Sequence, residues 1–162
     1  MYRHRNDALE VLLAHPGGPF FKNKDLGAWS IPKGEVLPGE DLLVTALREF
    51  EEETRLAVSG PFLALKPIKQ KGGKIVHVWA FRGDCDPAAL VSNTFKLEWP
   101  PRTGEWQEFP ENDRAEFFDA SRAKLKINPA QAALIDELEA LLKSGTLALA
   151  LPDTRRNSRN NS

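Results

Sequence analysis

The chain has 162 residues, of which 41% are hydrophobic and 28% are charged, as expected for a single folded domain with one core. Its formal net charge of −1 argues against the broad basic surface with which a protein binds nucleic acid. The single cysteine excludes an internal disulfide, and the three scattered histidines argue against a zinc site. The sequence has no long apolar run and no apolar leader, so the cytoplasm is the expected location.

The first predicted strand covers Ala8 to His15, an apolar run bounded on both sides by turn-forming residues. Residues 1–5 leave little room for a partner strand on its N-terminal side. The loop at residues 16–29 is rich in glycine, aromatic residues and lysine. Such glycines ordinarily form turns and such lysines are ordinarily solvated, but ammonium groups here could also contact phosphate oxygens.

A turn and a helix are predicted within the stretch from Gly34 to Leu56. Pro38-Gly39 forms the turn, and Glu40-Asp41 then place negative charge where a helix N-terminus favours it. The helix runs towards Thr54. Apolar residues recur at helical spacing on the face that packs against the core: Leu43, Leu47 and Phe50.

A second face of this helix carries Glu49, Glu52 and Glu53, which are spaced i, i+3 and i+4. Like charges so close destabilise a helix unless a cation neutralises them. Oxygen-only ligands suit a hard ion such as Mg²⁺ or Mn²⁺, and Mg²⁺ typically binds through a few carboxylates together with substrate phosphates. A solvated acidic face is the ordinary alternative for a glutamate-rich helix, so the spacing of the whole segment has to decide between them.

The remaining elements follow from turn signals and apolar periodicity. In chain order we predict an extended segment from Leu56 to Ile68, a hairpin turn at Lys71–Lys74 and its returning strand to Arg82, a strand at Phe95–Trp99, a loop from there to Pro110, a core strand at Arg114–Phe118, a short helix capped by Asp119 through Leu125, and a helix from Asn128 to Gly145. Residues 1–151 are predicted to be one domain, with a short strand or arm at 146–151. Residues 152–162 are predicted to be a disordered tail.

The stretch from Gly34 to Leu56 resembles the Nudix box, the signature of the Nudix hydrolases. It has Gly34, five residues, Glu40, seven residues, and then the run from Arg48 to Leu56, with the arginine–glutamate pair, the glutamate pair and both apolar positions of the family. It departs from the family at Arg55, where a glycine usually ends the helix in a left-handed conformation. A non-glycine residue pays about 1 kcal/mol there, so we expect a small change at the helix exit.

The resemblance implies an α/β fold, the Nudix fold, in which helices cover a mixed β-sheet as an α/β/α sandwich. It also implies a metal-dependent pyrophosphohydrolase, with magnesium or manganese as the cofactor and a nucleoside diphosphate linked to another group as the substrate. In Nudix enzymes the box glutamates bind the metal ions, so Glu49, Glu52 and Glu53 are the expected ligands, helped by the carbonyl of Gly34. Glu116 sits where some members place a further metal ligand.

The catalytic residues implied by the resemblance are Glu52, Glu53, Glu49 and Arg48. Arg48 would orient Glu49, and Glu40 would brace the turn or assist an outer ion. The general base stays open between a box glutamate and a glutamate from a later loop, where Glu111 and Glu116 are the candidates.

The lead-in from Trp29 to Gly34 resembles that of Nudix enzymes that cleave dinucleoside polyphosphates. Lys33 is therefore the first candidate for substrate binding, followed by Lys22, Lys24 and Trp29. Diadenosine tetraphosphate is the expected kind of substrate; ordinary or oxidised nucleoside triphosphates, diphosphoinositol compounds and nucleoside diphosphate sugars are alternatives. A Nudix-fold protein that senses a nucleotide without cleaving it is the alternative from another class. A monomer and a homodimer both stay open.

Overall fold

The computed structural model describes residues 1–145, so the predicted arm at 146–151, the domain boundary at 151 and the tail at 152–162 lie outside the described residues. The strands in this range are β1 (Tyr2–Arg5), β2 (Ala8–Pro16), β3 (Phe62–Lys69), β4 (Ile75–Phe81), β5 (Thr94–Glu98), β6 (Trp106–Pro110) and β7 (Asn112–Asp119). The α-helices are α1 (Leu42–Thr54), α2 (Ala120–Lys126) and α3 (Ala132–Ser144).

Strand β2 lies at the centre of a three-stranded antiparallel sheet, between β1 and β7. Strands β3 and β4 form one further antiparallel pair, and β5 and β6 form another. Parallel bridges join Tyr2 of β1 to Arg82, the residue after β4, and Trp29 to Ile127, and they supply a parallel component beside the antiparallel strand pairs. Residues 1–5, which we expected to leave little room for a partner strand, do form one, because β1 pairs with β2 from Tyr2 through Arg5.

Helices cover both faces of this sheet. Val11 and Leu13 of β2 belong to the apolar cluster that includes Leu134 and Leu138 of α3, while Leu12 belongs to the cluster that includes Phe50 of α1. Successive strand residues face opposite sides of a sheet, so β2 contributes to two cores at once. This arrangement is an α/β/α sandwich and confirms the predicted fold class.

Helix α1 begins as its sequence predicts, and its exit lacks the small change expected from Arg55. The Asp41 carboxylate caps it by accepting hydrogen bonds from the backbone N–H groups of Leu43 and Val44. At the other end Arg55 adopts the left-handed conformation with φ 59°, and its backbone N–H donates to the carbonyl of Glu51. The helix therefore closes as it would with glycine, and the departure from the family pattern costs local strain and leaves the exit geometry intact.

The second half of the chain also follows the prediction, with one exception. The Asp119 side chain caps α2, and Asn128 caps a 3₁₀ turn that leads into α3, which ends at the left-handed Gly145. The exception is the predicted loop before Pro110, which contains β6 paired antiparallel to β5. Most of the side chains of β6 are exposed, so it lacks the buried alternation by which strands are recognised in a sequence.

Among residues 1–145, no helix combines the length and the apolar character needed to cross a membrane.

Candidate active site

The loop that leads into the site is held at the end of β2. Ser30 and Ala14 exchange two backbone hydrogen bonds, of 2.8 and 2.9 Å, and the side-chain oxygen of the buried Gln131 accepts a hydrogen bond of 3.0 Å from the Ile31 N–H. These contacts fix the lead-in between the sheet and the helix layer formed by α2 and α3. Lys33 and Gly34, which follow directly, are thereby placed beside helix α1.

Gly34 lies directly against the carboxylate of Glu49. A Cβ atom built on Gly34 would lie 1.8 Å from the Glu49 Cδ atom and 1.9 Å from its Oε2 atom. A side chain at this position would displace the Glu49 carboxylate, so glycine permits the close approach and is not needed for an unusual backbone conformation. The consequence is that the Gly34 backbone and the Glu49 carboxylate are brought together, as two oxygen donors for a cation would need to be.

Arg48 is the central cation of the helix. Its guanidinium pairs with Glu49 at 2.9 Å, with Glu52 at 3.1 Å and with Glu40 at 3.0 Å. It also donates a hydrogen bond of 3.3 Å to the backbone carbonyl of Glu35. Arg48 therefore offsets the repulsion among the box carboxylates by pairing with Glu49 and Glu52.

Glu40 braces the turn before α1. Its carboxylate accepts hydrogen bonds from Arg48, from the Leu37 backbone N–H and from the Thr45 hydroxyl. These contacts, with the Arg48 hydrogen bond the largest, lower the pKa of Glu40 to about 2. The carboxylate is therefore ionised at neutral pH, and its contacts tie the turn to the first part of α1.

Glu53 has the opposite electrostatic character. Burial raises the pKa of the Glu53 carboxyl to about 7; Lys33 opposes that shift, and the carboxylates of Glu111 and Glu49 add to it. A carboxyl group that titrates near neutral pH can accept a proton and release it under physiological conditions. Among the box glutamates, Glu53 is therefore the one that combines a half-buried position with a pKa suited to acid–base chemistry.

A cleft of about 810 Å³ opens beside these residues. Four of the candidate residues from the box and its lead-in line it: Lys33, Gly34, Glu49 and Glu53. Glu111 from the loop before β7 lines it too, and so does the apolar Trp79 of β4. The cleft thus combines carboxylates, an ammonium group and an aromatic side chain, which are the groups needed to bind a nucleotide phosphate and a base.

The other lysines of the glycine-rich loop lie elsewhere. Lys22 and Lys24 are exposed and are not part of the cleft lining, and the Lys24 ammonium lies 5.1 Å from the centre of the Phe21 ring. Nothing in the structure brings either of them towards Glu49 or Glu53. Of the three predicted lysines, Lys33 alone lines the cleft.

Trp29 is a core residue. Only 1% of it is exposed, its indole N–H donates to Asp25 at 2.9 Å, and its ring packs edge-on against His15 and Phe118. This position contradicts the prediction that Trp29 contacts substrate. Its place in the lead-in reflects packing, because it anchors the backbone that carries Lys33.

Glu116 lies on the opposite face of the sheet from α1. It pairs with Leu13, and both alternate with Phe117 and Leu12, which pack on the side of α1. Directly paired residues of neighbouring strands project to the same face, so Glu116 shares the face of Leu13 and α3. This geometry contradicts the prediction of Glu116 as a metal ligand and leaves Glu111 as the acidic residue that a later loop contributes to the cleft.

The described residues contain no preassembled group of three His, Cys, Asp or Glu side chains that could hold a metal ion. Glu49 and Glu53 line the cleft, whereas Glu52 is paired with Arg48 and lies outside its lining. The donor set nevertheless fits a hard divalent cation, because the Gly34 backbone touches the Glu49 carboxylate and a cation would relieve the repulsion at Glu53.

Two charged residues of the cleft were not predicted from the sequence to belong to the site. Lys74, directly before β4, and Glu35, directly after Gly34, both line it and form an ion pair of 2.6 Å. The hairpin turn before β4 was predicted, but no local pattern indicates that it folds back against the loop that carries Glu35. The contact joins residues 39 positions apart and depends on the tertiary fold.

Comparison with known proteins places this geometry in context. The family model described as NUDIX domain matches residues 2–138. A curated relative, an RNA pyrophosphohydrolase of Erythrobacter litoralis (strain HTCC2594), is 45% identical over 49 residues, which cover 27% of this chain and 30% of the relative. The chain therefore aligns with less than a third of that relative's length.

Solved structures of low sequence identity share the fold. The binary complex of a C. elegans Ap4A hydrolase superimposes with a TM-score of 0.59 at 20% identity, covering 88% of this chain and 94% of the other. The NUDIX domain of Shewanella oneidensis NrtR, complexed with ADP ribose, gives 0.58 at 16% identity and coverages of 87% and 82%. A mutT/nudix family protein from Listeria innocua gives 0.57 at 18% identity, with 89% and 88% covered.

Proposed function

Since the chain belongs to the Nudix family, we propose that it is a Mg²⁺- or Mn²⁺-dependent pyrophosphohydrolase that cleaves a nucleoside diphosphate linked to another group. The observation that carries the proposal is the cleft in which Glu49 and Glu53 lie beside Lys33 and the Gly34 backbone. The carboxylates suit metal ions that would bind the phosphates of the substrate, and the Lys33 ammonium group can bind phosphate oxygens directly.

The residues that would hold the metal are Glu49, Glu52 and the carbonyl of Gly34, which leaves Glu53 free to accept a proton. A bound divalent cation offsets the negative charge of the phosphates and lowers the pKa of water. Arg48 acts as a positioning residue, since its guanidinium pairs with Glu49 and Glu52 and holds both in fixed orientations. Its loss would leave the carboxylates without their common counter-ion.

Glu53 is the proposed general base. It takes the proton of the attacking water while that water adds to phosphorus in line with the leaving oxygen. Glu111 supports this role, because its carboxylate contributes to the raised pKa of Glu53. Lys33 restrains that shift and offers its ammonium group to the phosphate oxygens in the same cleft.

A dinucleoside polyphosphate such as diadenosine tetraphosphate is the proposed substrate. The lead-in that carries Lys33 supports this choice, as does the fold shared with the C. elegans Ap4A hydrolase. Trp79, which lines the cleft, is the aromatic side chain available for stacking on a base. It takes the place of Trp29, which the sequence suggested for substrate binding and which lies in the core.

A nucleoside triphosphate or the 5′ end of an RNA is the second candidate substrate, favoured by the relative that is named an RNA pyrophosphohydrolase. The near-neutral net charge weighs against a long nucleic-acid footprint. A nucleotide sensor without turnover is the third possibility. It is less favoured because every carboxylate of the box is present.

A substrate panel distinguishes these functions. The protein is incubated with Mg²⁺ and dinucleoside polyphosphates, nucleoside triphosphates, 5′-triphosphorylated RNA or ADP-ribose, and the products are identified by mass. We expect the fastest turnover for a dinucleoside polyphosphate. Glu52→Gln should abolish metal-dependent turnover while circular dichroism reports an intact fold; wild-type activity in this variant contradicts the assignment, and tight binding without products indicates a sensor.

A further inference from the structure

Lys74 and Glu35 face each other across the mouth of the cleft. Lys74 lies between the β3–β4 turn and β4, while Glu35 belongs to the loop before α1. The Lys74 ammonium and the Glu35 carboxylate are 2.6 Å apart, and both residues line the cleft. Their side chains are 55% and 80% exposed, so the pair is open to solvent and to any ligand that enters.

Lys33 connects the box carboxylates electrostatically with this ion pair. Lys33 interacts electrostatically with the Glu53 carboxylate and also with that of Glu35, whose pKa is lowered first by its hydrogen bond to Lys74. Glu35 is thus an anion that interacts with two ammonium groups. Lys74 and Lys33 stabilise negative charge at the position of the Glu35 carboxylate, which lines the same cleft as Glu49 and Glu53.

We propose that Lys74 binds a phosphate beyond the one that is attacked. In the absence of that phosphate the Glu35 carboxylate pairs with Lys74, so the two anions compete for the same ammonium group. The inference rests on the proposed function for the position of the attacked phosphate. A substrate with a long phosphate chain extends from the box carboxylates past Lys33 to Lys74, whereas a diphosphate ends before it. Lys74 therefore selects for chain length.

The energetics permit this exchange. An exposed ion pair such as this one stabilises a protein little, because both groups are well solvated when apart. Each phosphate within a dinucleoside polyphosphate carries one negative charge, as a carboxylate does, and the neighbouring phosphates add to the negative potential at Lys74, so the phosphate chain can displace Glu35 from Lys74.

Binding of inorganic polyphosphates tests the proposal without requiring turnover. Isothermal titration calorimetry measures the Kd of tripolyphosphate and of pyrophosphate, in EDTA and with Mg²⁺, for the wild type, Lys74→Gln and Glu35→Gln. Lys71→Gln is the control for lysine, since Lys71 lies in the same turn but does not line the cleft. Glu105→Gln is the control for glutamate, since Glu105 is exposed and outside the cleft.

Lys74→Gln should raise the Kd of tripolyphosphate about two- to fivefold, and Glu35→Gln should lower it by a similar factor, with a smaller change for pyrophosphate and none in the controls. Equal effects on both ligands, equal effects in the matched controls, or weaker tripolyphosphate binding by Glu35→Gln would overturn the proposal. Because the assay measures binding, loss of the proposed hydrolytic function would be recognised separately, as absence of products in the wild type.

Discussion

Replacing Glu53 with Gln should stabilise the metal-free protein at alkaline pH and change its stability little at acidic pH. Burial, opposed by Lys33 and reinforced by Glu111 and Glu49, raises the pKa of Glu53 from 4.5 to about 7 in the folded protein. Between these two values the folded state binds more protons than the unfolded state, so the free energy of unfolding falls as the pH rises. Gln keeps the size of the side chain and removes its titration.

The size of the effect follows from the two pKa values. At about pH 8 the wild type should be less stable than Glu53→Gln by about 3 kcal/mol, and at about pH 5 by about 1 kcal/mol. Urea unfolding in EDTA across this range measures the difference. Glu51→Gln is the matched control, because Glu51 lies in the same helix and is exposed. A difference independent of pH, or a variant less stable than the wild type at about pH 8, would refute the reasoning.

Two further substitutions test the geometry of the box. Gly34→Ala places a methyl group 1.8 Å from the Glu49 Cδ, so the Glu49 side chain must move. Turnover should therefore fall about 100-fold. The free energy of unfolding should change little, because the side chain of Glu49 is flexible. Steady-state kinetics and urea unfolding check this, and unchanged turnover would contradict it. Arg55→Gly relieves a left-handed residue with φ 59° and should stabilise the protein by up to about 1 kcal/mol, reduced by loss of the Arg55–Asn93 hydrogen bond. A less stable variant in urea unfolding would contradict this prediction.

The parts of the fold that could be predicted from the sequence are those with local signals. Helix α1 combines an Asp41 cap with apolar residues at helical spacing, and β2 is a continuous apolar run bounded by turns. β1 and β6 could not be predicted in this way. β1 is a short edge strand defined by its pairing with β2, and β6 is largely exposed, so the information that makes them strands lies in the partner strand.

In the site, too, residues on one element could be predicted from local signals, whereas contacts between elements could not. The composition and spacing of the box predicted Glu49 and Glu53, because both lie on one helix and their relative positions follow from its period. Glu116 and Trp29 were placed by analogy along the sequence, and the structure sets one on the opposite face of the sheet and the other in the core. Contacts between distant segments, such as Lys74 with Glu35, require the tertiary fold.

The central claim is that the carboxylates of the cleft catalyse hydrolysis at phosphorus. The most direct measurement follows the best substrate of the panel in ¹⁸O-labelled water, with Mg²⁺ or with EDTA, for the wild type, Glu49→Gln and the exposed control Glu105→Gln. We predict that the wild type and the control incorporate one ¹⁸O into a phosphate of one product only when Mg²⁺ is present, and that Glu49→Gln does so about 100-fold more slowly or worse. Turnover that persists in EDTA, or equal rates for Glu49→Gln and the wild type, would contradict the claim.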